Sequence, residues 1–307
     1  ALIRLQMNGG QVPAQQTVVE WLSMNHQPPE LIERFWTPLA LAILNTPLHE
    51  AAMGRLAPVL LDTLAGGGNA LAMIHPPSNL SESIVSPMVK AIKSAGGTLH
   101  CRSRVTRIAQ ANSGYALVVN EATNHFDHVV MALPPWALQQ LAIPGDANLS
   151  GLTHAFGCQP IATVYLGFDV SFRLPTPLLQ INGPTPGDAR VWAMDRSQCG
   201  EPGVVAIAIS AQGPWCQLSS EALATKCLAA LAKSLVHCPP CCWQKAVIVQ
   251  RATYAATPQA RLTLAHLEPL PKLYLAGDWT HPIYPATLEA AVDSGFLAAN
   301  RIIKAPN

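Results

Sequence analysis

Charge is scarce in this sequence: only 12% of its 307 residues are charged, 19 basic against 18 acidic, for a net charge of +1. A chain with so little net field, whose Lys and Arg residues are scattered and form no stripe, is not built to follow a phosphate backbone, so nucleic-acid binding is excluded. Long apolar runs are missing too. Leu39 to Leu44 is cut off by Asn45 and Pro47, well short of the roughly 18 to 20 residues that a membrane span needs. The opening Ala1-Leu2-Ile3-Arg4-Leu5 has no basic leader and no cleavage site and is not read as a secretory signal. Cysteines at 101, 158, 199, 216, 227, 238, 241 and 242 show no pairing pattern in a chain large enough to fold without cross-links, which fits a reducing cytoplasm. Cys238-Pro239-Pro240-Cys241-Cys242 holds one C-x-x-C, but a tetrahedral metal site needs a second pair. No metal is expected, and these thiols read as buried or loop residues. Finally, no G-x-G-x-x-G occurs: Gly66-Gly67-Gly68 runs into Asn69, Ala70 and Leu71 with no strand before it.

Apolar material, by contrast, is plentiful at 50% of the chain, enough for one large or two moderate cores. Thr17-Val18-Val19-Glu20 is a capping box that predicts a helix stopping before Pro28-Pro29. Leu31, Ile32, Phe35, Trp36 and Leu39 recur at helical spacing, with Pro38 placed to kink the segment. A third helix is expected from Thr46-Pro47, and Gly66 to Gly68 should end the run. A helix near 79 to 95 is followed by expected strands at Thr98 to Cys101, Val105 to Ile108, Tyr115 to Val119 and His128 to Leu133, the last closed by Pro134-Pro135. Residues 160 to 168, 190 to 195, 204 to 210 and 245 to 251 read as a second group of strands, interrupted by a helix at about 219 to 236 capped by Ser219 or Ser220.

The most informative stretch lies near the carboxyl end. Lys272-Leu273-Tyr274-Leu275-Ala276-Gly277-Asp278-Trp279 reads as a buried strand with a Gly-Asp exit, and Tyr284 to Ala291 with Ser294-Gly295 as a helix packed closely at a glycine. Asp278 then stands where open α/β sheets place ligand groups, as an acceptor for a sugar-like hydroxyl; an ordinary turn or capping aspartate is the plain alternative. The helix, starting near Ala286 or Thr287, offers the amides of Thr287, Leu288 and Glu289 to a negatively charged group. Small residues alone would equally suit a helix whose Ala290, Ala291, Gly295 and Ala298 simply pack on a sheet.

Gly277-Asp278-Trp279, Tyr284-Pro285-Ala286-Thr287-Leu288-Glu289 and Ser294-Gly295 resemble the C-terminal flavin-binding motif of the amine oxidase and carotenoid desaturase superfamily. Leu31 to Leu39, Asn45-Thr46-Pro47, Ala132-Leu133-Pro134-Pro135-Trp136, Pro160 to Leu166 and Arg251-Ala252-Thr253 narrow the resemblance to its squalene-associated desaturase branch, which contains hydroxysqualene dehydroxylase.

The resemblance implies an α/β fold in which an incomplete FAD-binding Rossmann-like layer is interleaved with a substrate domain of helices and a mixed β-sheet. Residues 1 to 75 and 141 to 267 are assigned to the substrate domain, and 76 to 140 and 268 to 307 to the FAD layer. FAD is the implied cofactor: Gly277 and Asp278 at its ribityl and pyrophosphate region, Thr287 and Leu288 at the pyrimidine edge, Val105 at the adenine end, with Ala286 also among the cofactor-binding residues. Family members begin with a Gly-rich turn that this sequence does not show, so FAD is expected to bind weakly or not at all to the chain as written. The implied substrate is a lipophilic isoprenoid, lined by Phe35, Trp36 and Leu39 if that stripe is not simply core. Thr287 stands where amine oxidases commonly carry an aromatic residue, which favours the isoprenoid over an amine. The implied reaction is reductive dehydroxylation, with peripheral contact at the inner face of a membrane. A flavin amine oxidase, and a non-catalytic remnant or partner-binding subunit, are the alternatives. No catalytic acid is assigned.

Overall fold

The computed structural model describes residues 1–65, 78–144, 149, 153–262 and 267–304; the Gly66-Gly68 run lies outside them. Helix α1 is Leu2–Met7 and α2 is Val18–Met24, the latter opened by the expected capping box: Glu20 N donates to Thr17 Oγ1 at 3.3 Å and Thr17 N to Glu20 Oε2 at 2.9 Å. An arm follows, made of α3 (Pro29–Leu31), a π-helical turn (Ile32–Trp36) and α4 (Thr37–Leu44). Its widened turn has a local cause, because Pro38 has no N–H for the carbonyl four residues back and its ring crowds that carbonyl. The carbonyl left unserved, Arg34 O, accepts Gln180 Nε2 at 3.1 Å, so the proline defect becomes a link to the sheet. Pro87 repeats the device: a second π turn (Ser81–Val85) precedes α6 (Ser86–Ser94).

Thr46-Pro47 does not open a helix. Thr46 Oγ1 donates to Leu44 O and accepts Ala256 N, both at 2.9 Å, and α5 begins only at Met53, running to Ala65. Nor is there a strand over 98–101. Strands β1 (Val105–Gln110), β2 (Tyr115–Val119) and β3 (Ala122–Phe126) form an antiparallel sheet in that order. Sequence patterning does not announce β3, whose five residues are all exposed. Next come β4 (Val129–Met131) and α7 (Pro135–Leu138).

A five-stranded sheet has the order β6-β7-β8-β5-β9, from β5 (Cys158–Gly167), β6 (Leu178–Ile181), β7 (Val191–Asp195), β8 (Val204–Ser210) and β9 (Trp243–Tyr254). It is antiparallel throughout, where a mixed sheet was expected, because its neighbours are joined by hairpins and returns and none by a parallel crossover. Register divides it into two faces. Val164, Ile207 and Ala193 point to the rear and pack with Leu223, Cys227 and Leu231 of α8 (Ser220–Ser234), whose cap is Ser219. The front face carries the cross-strand row Gln180, Trp192, Ala208, Thr163, Val247 and, two residues away, the row Leu178, Met194, Ala206, Tyr165, Lys245.

The chain ends with β10 (Leu273–Leu275), paired parallel to β4, and α9 (Leu288–Lys304). Packing joins helices α1, α2, α4 and α5 to β1, β2, β4 and β10 in one core, while the large sheet and α8 make a second. The sequence assigns residues 1–75 to the same domain as the sheet; among the described residues, contacts reach the sheet from the arm, from Asn45, and from Pro47 and Leu48, which share a pocket with Ala208 and Ser210.

Asn45 joins the two cores. It sits in the left-handed region (φ 44°), its Oδ1 accepts Ala211 N at 2.6 Å, and its Nδ2 donates to Thr253 Oγ1 at 2.9 Å. Asn45→Ala strands the buried Ala211 amide and removes the polar side chain that makes the left-handed region tolerable for Asn, so urea denaturation should show a loss of about 3 kcal/mol. A loss below about 1 kcal/mol would mean that Asn45 does not carry this junction.

Candidate functional site

Strands β4 and β10 run parallel and finish side by side, and the crevice outside such carboxyl ends is where open α/β layers bind ligands. Gly277 leaves β10 at φ 133°; a β-carbon there would lie 3.0 Å from the Trp279 ring. That indole is fixed in turn, because Trp279 Nε1 donates to Leu133 O, two residues beyond β4, at 2.9 Å. Gly277 N donates to Ser294 Oγ at 2.8 Å, and Thr280 Oγ1 to Gly277 O at 2.7 Å. The turn is thus anchored to β4, to α9 and to its own 3-10 continuation.

Asp278 follows, with Oδ1 accepting Trp279 N at 2.8 Å. Burial pushes its carboxyl above the usual range, opposed only by backbone donors. At the start of α9, Thr287 Oγ1 accepts Ala290 N at 3.1 Å and Thr287 O accepts Ala291 N at 3.1 Å. The amides of Leu288 and Glu289 have no partner among the described residues and remain available, as helix N-termini allow.

The loop between turn and helix is clasped by Arg55, itself buried. It donates to His281 O at 2.7 Å, Tyr284 O at 3.0 Å and Ala260 O at 3.3 Å, and no carboxylate pairs with it among the described residues. Burial lowers its pKa from the ordinary value. His281 Nδ1 accepts the amides of Ile283 (3.2 Å) and Tyr284 (2.9 Å), which leaves its proton on Nε2, 3.6 Å from Asp293 Oδ2. Tyr284 stacks on His281 and donates to Asp62 Oδ2 at 2.6 Å. Behind the turn, Phe156 packs edge-on against both Trp279 and Tyr254. The Tyr254 pKa is pushed up to about 12 by burial, and its buried hydroxyl has no hydrogen-bond partner among the described residues.

The structure brings Gly277, Asp278, Ala286, Thr287 and Leu288 to one corner. Val105 lies on the other side of β4, lining a hollow of about 560 Å³ with Arg104, the 129–133 segment and Gln140; Leu133 is common to the hollow and to the Trp279 bond. Phe35, Trp36 and Leu39 are elsewhere, on the arm tied to the sheet. Trp36 is core, edge-on to Trp21 with Nε1 on Gln27 Oε1, Leu39 is half-buried and Phe35 is exposed. Gly295 does not make the expected close packing, since a β-carbon there would meet nothing within 4 Å; Ala290, Ser294 and Ala298 are the buried residues. The outer face of α9 carries Leu288, Val292 and Phe296, all exposed. Sequence reasoning missed Arg55, Tyr254, His281 and the front of the sheet. Arg55 did leave a signal, as the one charge in the apolar run Met53 to Leu61.

These features define an α/β protein whose parallel strand pair leads into a Gly-Asp turn beside a helix start, and residues 12–303 match the family of flavin containing amine oxidoreductases, to which the chain belongs. It is 29% identical over 289 residues to the hydroxysqualene dehydroxylase of Rhodopseudomonas palustris, covering 90% of this chain and 63% of that protein. The hydroxysqualene dehydroxylase of Zymomonas mobilis is 26% identical over 274 residues, with 86% and 61% covered. The chain therefore spans about three fifths of the curated relatives it matches. An oxidoreductase from Methanosarcina mazei shares the fold, with a TM-score of 0.72 at 14% identity over 97% of this chain and 70% of that one.

Two titrations have opposite signs. His281 is held below its ordinary value of 6.5, chiefly by burial and against the pull of Asp293. The unfolded chain therefore takes up this proton first: the contribution of neutral His281 is complete above 6.5 and is lost as pH falls through the lower folded value. Urea midpoints should drop on acidification in this window, and His281→Gln should flatten the curve. Asp278, raised above 3.8, contributes stability only when protonated and loses it as pH rises through the folded value. Asp278→Asn should accordingly melt higher than wild type at neutral pH, with the gap closing below 3.8. An Asn variant that melts lower would show that the carboxylate is a structural anchor.

Proposed function

We propose that this chain forms the substrate-binding part and half of the cofactor cradle of an FAD-dependent oxidoreductase acting on a squalene-type isoprenoid, with reductive removal of an allylic hydroxyl as its reaction. Three observations fit FAD to the corner: a turn where only glycine avoids the Trp279 ring, two unpartnered amides at the start of α9, and a buried hydroxyl of Tyr254 lacking a partner. On this reading Leu288 and Glu289 hold the electron-rich edge of the ring, Asp278 a ribityl hydroxyl, and the backbone of Val105 the adenine end. Bound FAD in its reduced form would supply the redox chemistry, a hydride to carbon as the hydroxyl takes up a proton and leaves as water, the flavin ending oxidised.

The observation that carries the substrate class is the front face of the sheet. Its two cross-strand rows contain no acidic residue, and Leu178, Trp192, Met194, Ala206, Ala208 and Val247 are apolar. An ammonium substrate would find no counter-charge there, whereas a hydrocarbon gains from covering such a surface. Thr287, not aromatic, supports the same choice. Phe35, exposed on the arm beside the sheet, extends the surface. A substrate of this kind is drawn from a bilayer, so the reading carries contact with the inner face of a membrane; no described helix is long and apolar enough to cross one. The exposed Leu288, Val292 and Phe296 favour a second reading, in which the chain completes its site only with another polypeptide segment.

Purified protein should be mixed with FAD, examined for the flavin absorbance bands after gel filtration, then reduced with dithionite and given hydroxysqualene in detergent. Weak flavin retention, as half of a cradle allows, is expected, with squalene as product when FAD is kept in excess. A yellow protein that oxidises primary amines and leaves hydroxysqualene untouched would overturn the substrate, and one that takes up no FAD would overturn the enzyme claim for this chain alone.

A further inference from the structure

We infer that a slot between α4 and β8 is the blind end of the substrate site, where the terminal isoprene units of an extended hydrocarbon are seated and its length is measured. The inference rests on the isoprenoid reading above. Strand β8 presents Ala206, Ala208 and Ser210 to the front, between Trp192 and Met194 of β7 on one side and Ile161, Thr163 and Tyr165 of β5 on the other, with the smaller Thr163 directly opposite Ala208. Small residues on one strand between larger ones on its neighbours make a trough. Its walls are two interstrand spacings apart, about 9.6 Å, and from Ala206 to Ser210 it runs about 13 Å. That is the shape of a single unfolded chain, not of a ring system.

Helix α4 roofs one end of the trough. Thr37, Pro38, Leu41 and Ala42 stand over Trp192, Ala208 and Ser210, enclosing about 220 Å³. Whole ligands of drug size occupy roughly 300 to 1,000 Å³, so this space suits the end of a chain. Several of its polar wall groups are already engaged, although Arg190 Nε is buried without a hydrogen-bond partner among the described residues. Trp192 Nε1 is directed at Pro38 O (3.4 Å), Trp215 Nε1 donates to Ala211 O (3.0 Å), and Asp188 accepts the amides of Thr185 (3.0 Å) and Trp215 (3.2 Å). Arg190, at the rim, is 3.7 Å from Glu33. The one carboxylate in the lining is thus occupied by its own loop, and an apolar terminus fits where a cation would not.

Ala208 on the floor and Ala42 on the roof are the specificity-determining residues. The test is binding, followed by tryptophan fluorescence of the intact chain without FAD, with squalene and the half-length farnesol each dispersed in detergent. Ala208→Leu should weaken squalene at least about tenfold and farnesol less than about twofold, with the melting temperature retained. Ala42→Leu fills the slot from an exposed position and should do the same even if the floor variant folds poorly. Equal squalene binding in wild type and in both variants would overturn the slot, as would a wild type that binds neither probe. Slot-sensitive binding in a protein that never forms squalene would sink the proposed reaction while leaving the slot standing.

Discussion

One guanidinium holds the candidate site together. Arg55 reaches from α5 to three carbonyls, those of Ala260, His281 and Tyr284, and so fixes the path between the Gly277-Asp278 turn and the first turn of α9. A buried cation is tolerable only when its donors are used, and these carbonyls use them without a carboxylate. Around this clasp the loop is tied a second time through His281 Nδ1 and a third through Tyr284 and Asp62. Rigidity matters because two free amides can serve a ligand only if their direction is set before it arrives.

The two cores divide the labour. The first, from the helices and the β4–β10 pair, places the crevice; the second, behind the large sheet, leaves the front of that sheet free to meet a ligand. What links them is short and polar: Asn45 to Ala211 and Thr253, Gln180 to Arg34, and Trp192 to Pro38. One of those links, Gln180 to Arg34, exists because Pro38 disturbs its helix. The defect leaves Arg34 O for the sheet, and the arm lies across the strands at the roof of the trough.

Much of this was readable in the residues. The Thr17 and Ser219 caps, the long strands of the large sheet and the strand-turn-helix at Gly277-Asp278 declare themselves through local chemistry or periodicity. Other features depend on partners distant in sequence. Thr46-Pro47 has the look of a helix start, yet the Thr46 hydroxyl is taken by Ala256. β3 lacks an apolar alternation because neither of its faces is buried. Gly295 was read as a close-packing glycine, whereas Ser294 is the residue that meets the turn. Arg55 and Tyr254 matter only through neighbours some 200 residues away or through a missing bond, neither of which a local window reveals.

The corner is assembled from remote stretches: Arg55 meets His281 across 226 positions, and Trp279 meets Leu133 across 146. The large sheet, by contrast, pairs β6, β7 and β8 in consecutive order. Closing long loops before their contacts form is slow, so the sheet should consolidate early and the crevice last. A ligand seated there would then act as a fastener on the final folding step, coupling the lifetime of the native chain to the supply of its cofactor.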